Sequence, residues 1–299
     1  MKEDAVSPVI AFMLLLMIVV SFISVLNAYY IPSLKEQAEI QHLHSVEESF
    51  SKLSSDVLQI LTFRQNITLK EPVELGGGDV LFSPLRSSGY LEVNTGVNEG
   101  SLSSLLVSVN SNQVFQSDVN RSRIIYRPVG NFWMNQGYEW EDGVLNISKG
   151  NRKTYLGYAD HADEKAKAER CAYYEMLMPR VHLDTYPSSI LIDLITLEDS
   201  GHPRSVSSNG AGTIWIDLKE SERKSLELHS GDTVSFQFTG SDEDETGFKS
   251  AINKTFSEWS NHNETLWNST HYRLNIVDNS ENIYPVLTLV RRNLSFYPV

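Results

Sequence analysis

Apolar and polar positions fall into three patterns along the chain. Residues 5–32 read AVSPVIAFMLLLMIVVSFISVLNAYYIP, and no charged residue lies between Val9 and Ile31. At 1.5 Å per residue, a helix of this length crosses the roughly 30 Å hydrocarbon core of a bilayer. Beyond Pro32 the chain turns amphipathic. Leu43, Val46, Phe50, Leu53, Val57 and Ile60 recur at alternating steps of three and four and form one helical stripe, opposite Glu47, Glu48, Ser51, Lys52 and Ser55. From about residue 66 the period falls to two. Short runs such as GYLEVNTG, SLLVSVNS, RIIYRPVG, VLNISKGN, SSILIDLITL, GTIWIDL and DTVSFQF are punctuated by Gly, Asn, Asp and Pro, the signature of strands and turns.

The helical interruption DHADEKAKAERCAYYEMLM, residues 160–178, is rich in Ala, Glu and Lys and is closed by Pro179. A further helix is expected over GFKSAINKTFSEW, residues 247–259. These patterns predict an α+β chain: a long N-terminal transmembrane and stalk α-helix, then a mainly antiparallel, sandwich-like β head. The expected segments are a transmembrane helix at 6–31, an amphipathic stalk helix at 32–65, a first β-rich subdomain at 66–158, a connecting helix at 159–179 and a second β-rich subdomain at 180–299. No internal repeat relates the two β-rich halves.

The ends of the apolar segment carry their own signals. Ser7 can cap the helix, and Pro8 can sit in the first turn, where no backbone donor is needed. A secretory signal has a shorter apolar core, a basic start and a small-residue cleavage site after it. Here Asn27-Ala28-Tyr29-Tyr30 follows the core, and its aromatic pair suits a membrane interface. Pro32 is expected to kink the helix without ending it, giving a rod of about 80 Å. The stripe packs either on the β head of the same chain or on neighbouring copies. The first reading is favoured because three heptads make a short coiled coil.

The stretch Ala5-Val6-Ser7-Pro8-Val9-Ile10-Ala11, a short polar leader running straight into an apolar helix, resembles the prepilin-type N-terminus of archaeal type IV pilins and their flagellin-related relatives. The resemblance implies that a membrane-bound prepilin peptidase cuts between Ala5 and Val6, removing residues 1–5 as a leader. It also implies that the apolar helix stays with the mature protein as an anchor or a filament core, with membrane lipid and other pilin-like subunits as its partners. Two positions depart from the pattern. Asp4 stands where the family places a basic residue, and Ile10 stands where bacterial pilins carry an acidic side chain. Tyr138-Glu139-Trp140-Glu141-Asp142-Gly143-Val144 also resembles the aromatic, acidic Gly-Val hairpins of archaeal pilin-like heads.

Charge and chemistry narrow the function further. A formal net charge of −13, with no run of Lys and Arg, argues against nucleic-acid binding. Cys171, the single cysteine, cannot form an internal disulfide or a multi-thiolate metal site, and is expected to pack as a small apolar residue. None of the eight histidines falls in HExxH, and His42 and His44 are spaced by two, so they do not share a helical face. Gly76-Gly77-Gly78 lacks the GKS or GKT of a phosphate loop and reads as a turn. Asp242-Glu243-Asp244-Glu245 lacks EF-hand spacing and reads as a solvated turn. No GxSxG elbow is present. No catalytic residue, metal or cofactor is assigned.

Asn66, Asn120, Asn146, Asn253, Asn263, Asn268 and Asn293 each open an Asn-x-Ser/Thr sequon. All follow the apolar helix, as expected if the N-terminus is cytoplasmic and the head extracellular. The expectation is a non-enzymatic cell-surface protein, anchored or assembled in a filament and serving adhesion or surface structure. One alternative is a tethered carbohydrate- or solute-binding module using Trp133, Trp140, Trp215, Trp259 or Trp267 as stacking faces. Another is an extracellular hydrolase, which requires convergent polar groups in a cleft.

Overall fold

The computed structural model describes residues 6–77, 80, 87–95, 101–131, 135–157, 162–177, 180–185, 188–197, 199, 201–240, 265–268, 273–276 and 286–299. Helix α1 (Val6–Val25) passes through a π-helical turn (Leu26–Tyr30) into helix α2 (Ile31–Phe63) without leaving helical conformation. Strands β1 (Ile67–Glu74), β2 (Ser88–Thr95), β3 (Ser101–Val109), β4 (Asn112–Asn120), β5 (Ser122–Val129), β6 (Gly137–Glu141), β7 (Val144–Lys149) and β8 (Arg152–Tyr155) precede helix α3 (Ala162–Leu177). After it come β9 (Arg180–Thr185), β10 (Ser188–Leu197), β11 (Ser205–Ser208), β12 (Ala211–Glu227), β13 (Thr233–Gly240), β14 (Thr265–Asn268), β15 (Arg273–Ile276) and β16 (Val286–Pro298). The helix expected over 247–259 lies outside the described residues.

The α+β architecture is the expected one, a long N-terminal helix followed by a mostly antiparallel β region. Three sheets form it, in the orders β1-β12-β16-β10-β9, β11-β2-β5-β6-β7-β8 and β14-β15-β13-β3-β4. Among the described pairings, only β10 with β16 is parallel. The two β-rich halves separated by α3 are halves of the sequence and not of the structure. The early strand β1 pairs with β12, the late strand β11 pairs with β2, and β3 pairs with β13. Local alternation identifies a strand but leaves its partner open, and here all three sheets mix strands from both sides of α3.

The first sheet is the middle layer. Because strand side chains alternate, Ile195 and Leu197 of β10 with Leu294 and Phe296 of β16 face one way, into a core shared with α2 and the second sheet. Ile190, Ile192 and Leu194 with Leu287 and Leu289 face the other way, against Leu105, Val107, Phe115, Val234 and Phe236 of the third sheet. A sheet covered on both faces has no solvent side. Its central strands therefore read as near-continuous apolar runs, ILIDLITL and VLTLV.

Candidate functional site

The N-terminal half of the long helix is bare. From Pro8 to Tyr30 every side chain is exposed except the half-buried Leu26. The helical stretch Pro8–Phe63, 56 residues and about 84 Å at 1.5 Å per residue, contains a segment long and apolar enough to cross a membrane. Two of the polar side chains in this segment bond within the helix: Ser24 Oγ donates to Val20 O at 2.7 Å, and Asn27 Nδ2 to Ile23 O at 3.0 Å. Such internal pairing is what a hydrocarbon environment demands of polar side chains. Helix α1 already begins at Val6, which puts Ser7 and Pro8 inside its first turn, whereas Ser7 was expected to precede the helix as its cap. Ala5 lies outside the described residues.

The helix continues through Pro32, as expected. Without an N–H, and with a ring that crowds the carbonyl four residues back, a proline disturbs the preceding turn. That turn, Leu26–Tyr30, is widened to π-helical geometry, and Ile31 N–H donates to Leu26 O. Tyr29 and Tyr30 stand exposed at this step, where the bare helix meets the head.

Burial begins with Lys35, Glu39 and His42 on α2. His42 Nε2 lies 2.8 Å from Glu74 O, and its ring meets the edge of Tyr126. Leu43, Val46, Phe50, Leu53, Val57 and Ile60 are then all at most 4% exposed, inside the core formed with the first and second sheets. The stripe therefore packs on the chain's own head. Polar bonds flank it: Tyr138 OH donates to Glu47 Oε2 at 2.9 Å, and Lys52 pairs with the buried Glu71.

Arg64 closes the joint. It terminates α2 in the left-handed conformation (φ 50°), with its N–H on Ile60 O. Its buried guanidinium donates to Asp193 O at 2.6 Å and Met176 O at 2.8 Å, tying the helix end to β10 and α3. Burial is the main influence on this group and lowers it to about 9. Asp193 opposes the shift, while Arg180 and Arg292 add to it, and the group stays charged at neutral pH. Sequence reading missed Arg64, because no periodicity marks the one residue that leaves a helix.

On the head, the arrangement nearest to a catalytic one is buried. Asp142 Oδ1 accepts from Ser122 N at 2.9 Å and from Ser122 Oγ, its Oδ2 accepts from Tyr174 OH, and Ser122 Oγ lies 3.1 Å from Tyr173 OH. Ser122, Asp142 and Tyr173 have no exposed surface, so substrate cannot reach them. Burial raises the Asp142 carboxyl, against the bonds from Ser122 and Tyr174 that lower it. The Asp142-Gly143 pair, both at positive φ, makes the tight β6–β7 turn. A Cβ at Gly143 would lie 2.5 Å from Tyr173 Cβ, so the turn is pressed onto α3. The aromatic, acidic, Gly-Val stretch is thus a packing device in this head.

Cys171 is exposed on α3, contrary to the expectation that it packs in the core, because α3 turns only Tyr173 and Leu177 fully inward. Trp140 is buried edge-on to Tyr173. Trp215 is half-buried between Lys70, 3.8 Å from its ring centre, and the stacked Tyr297, so its faces are taken. Trp133 and Trp259 lie outside the described residues, and Trp267 belongs to β14. Among the described residues, no group of three or more His, Cys, Asp or Glu is placed to hold a metal ion.

The sequons separate by environment. Asn66 is exposed, with its Oδ1 accepting from Glu220 N and Arg292. Asn146 is half-exposed on β7. Asn120 was expected to be an acceptor, but it is buried and its Nδ2 donates to Leu197 O at 2.9 Å. A glycan is attached through that nitrogen, so the folded chain cannot carry one there. Asn293 is half-buried on the central strand β16, its Oδ1 held by Thr196 and Ser221. Asn253 and Asn263 lie outside the described residues, and Asn268 ends β14.

No protein-family model, curated protein or solved structure matches this chain.

Proposed function

We propose that this chain is a non-enzymatic surface protein of the archaeal pilin-like kind, inserted in a membrane through residues 6–31 and presenting its β head outside the cell. One observation carries the reading. A single continuous helix is apolar and bare over its first half, then buried in the head over its second half. A soluble protein has no use for eighteen consecutive exposed residues of this composition, Pro8 to Val25, whereas a bilayer or a bundle of like helices covers them. The prepilin-like stretch from Ala5 to Ala11 supports removal of residues 1–5 by a prepilin peptidase. Burial of the α2 stripe leaves the apolar segment as the part free to meet lipid or sister subunits. Adhesion or surface structure is the role that suits a head fixed on such a helix.

N-terminal sequencing of protein recovered from membrane and sheared-filament fractions tests this. The expected result is a chain in one of those fractions that begins at Val6. A full-length chain in the soluble cytoplasmic fraction overturns the proposal.

A further inference from the structure

The outward face of the second sheet gathers positive charge in a chain whose net charge is −13. Arg123, Ile125 and Arg127 alternate along β5 to that face, opposite Glu141, Glu139 and Gly137 of β6, and Lys153 follows on β8 through β7. A cavity of about 440 Å³ opens here, lined by Arg123, Arg127 and Lys153 against the Glu139 carboxylate, with Glu141 beside Lys153 at its edge, which leaves a surplus of one positive charge. Asn135 and Asn151 add polar groups at its edge. Its floor is kept low by Gly137, where a Cβ would lie 2.5 Å from Tyr126 O and 2.7 Å from Ser148 Oγ.

The distribution of partners within the cavity is uneven. Glu139 is buried, and its Oε1 accepts from both Arg123 Nε, at 2.7 Å, and Lys153 Nζ. Lys153 also lies 3.8 Å from Glu141. Arg127 is exposed and has no ion-pair partner among the described residues. A guanidinium offers a planar fork of donors that matches an oxyanion. The Glu139 carboxylate, held between two cations beside it, occupies the place that an external anion would share.

We propose that this cavity is a binding site for a small anionic ligand whose carboxylate, sulfate or phosphate group is held by Arg127 with help from Arg123 and Lys153, and that Glu139 acts as a built-in competitor. The volume admits a body larger than the bare anion, such as one sugar ring, with Asn135 and Asn151 facing its hydroxyls. The site stands apart from the apolar helix, so it does not depend on how the chain is anchored.

Calorimetric titration of the full chain in detergent micelles at low salt tests this, with glucuronate, inorganic phosphate and neutral glucose as probes. Glucuronate or phosphate is expected to bind and to weaken as salt is added, and the stronger of the two identifies the source as an acidic sugar or a free anion. Arg127→Ser should weaken binding about tenfold, the loss of one charge-assisted bond. Its melting temperature should stay unchanged, because Arg127 is exposed. Glu139→Gln should strengthen binding about tenfold by removing the competing carboxylate. The proposal is overturned if neither anion binds better than glucose, if Arg127→Ser binds like the native chain, or if Glu139→Gln leaves affinity unchanged.

Discussion

At the scale of single residues, Arg64 is the polar tie at the joint between helix and head, beside the buried Ile60 and Leu61. Its guanidinium satisfies two main-chain carbonyls from two different elements, β10 and α3, at the point where α2 stops. Truncation leaves those carbonyls without a donor in a buried setting, a loss of roughly 3 kcal/mol for two charge-assisted bonds. Arg64→Ala is therefore expected to lower the unfolding free energy of the full chain by about that amount, read from denaturant titration in detergent. Arg64→Lys should recover only part of it, since an ammonium lacks the fork that reaches two acceptors. Asn120 teaches the converse lesson. A three-residue sequon says nothing about whether the Asn nitrogen is free, and here it bonds to Leu197 O.

At the scale of elements, one helix carries two patterns of apolar side chains. In α1 apolar side chains point in every direction, as a lipid-facing helix requires; in α2 they form a stripe, as a helix lying on a sheet requires. Matched truncations should separate the two roles. Phe50→Ala removes a side chain with no exposed surface and is expected to destabilise the head by about 3–5 kcal/mol. Phe12→Ala removes one that is 67% exposed and should leave unfolding of the head unchanged while weakening membrane retention. Denaturant titration followed through Trp fluorescence, alongside carbonate extraction of membranes, reads both effects. Equal destabilisation by the two substitutions would contradict the division of the helix.

At the scale of the whole molecule, three sheets are locked by strands that cross from one side of α3 to the other, and acid should loosen the assembly from its outer face. Burial tends to raise the Glu139 carboxyl, but the bonds from Arg123 and Lys153 outweigh burial and hold it below the usual glutamate range. With the folded value below the unfolded one, the unfolded chain binds the proton first. The stabilisation is therefore present above the ordinary glutamate range and is lost as pH falls through the folded value. The melting temperature should drop between pH 5 and pH 3, as an order-of-magnitude window set by ordinary glutamate titration. Glu139→Gln should flatten that part of the slope, and an identical pH profile for both chains would exclude Glu139 as its source.

By itself the sequence determined whatever depends on periodicity along one segment: the uncharged span from Val9 to Ile31, the three-and-four stripe from Leu43 to Ile60, the short strands, and the helix before Pro179. These are local properties, because a helix or strand face is defined by residues only a few positions apart. Tertiary structure alone decided which strands meet, since β1 with β12 and β2 with β11 join residues more than a hundred positions apart, and alternation carries no record of a partner. It also decided that Cys171 faces solvent and that Asn120 is occupied. The basic cavity is the clearest case. No run of Lys and Arg exists in the chain, yet pairing of β5 to β6, β6 to β7 and β7 to β8 brings Arg123, Arg127 and Lys153 to one face, because a sheet sums charge across strands and a sequence shows it only along them.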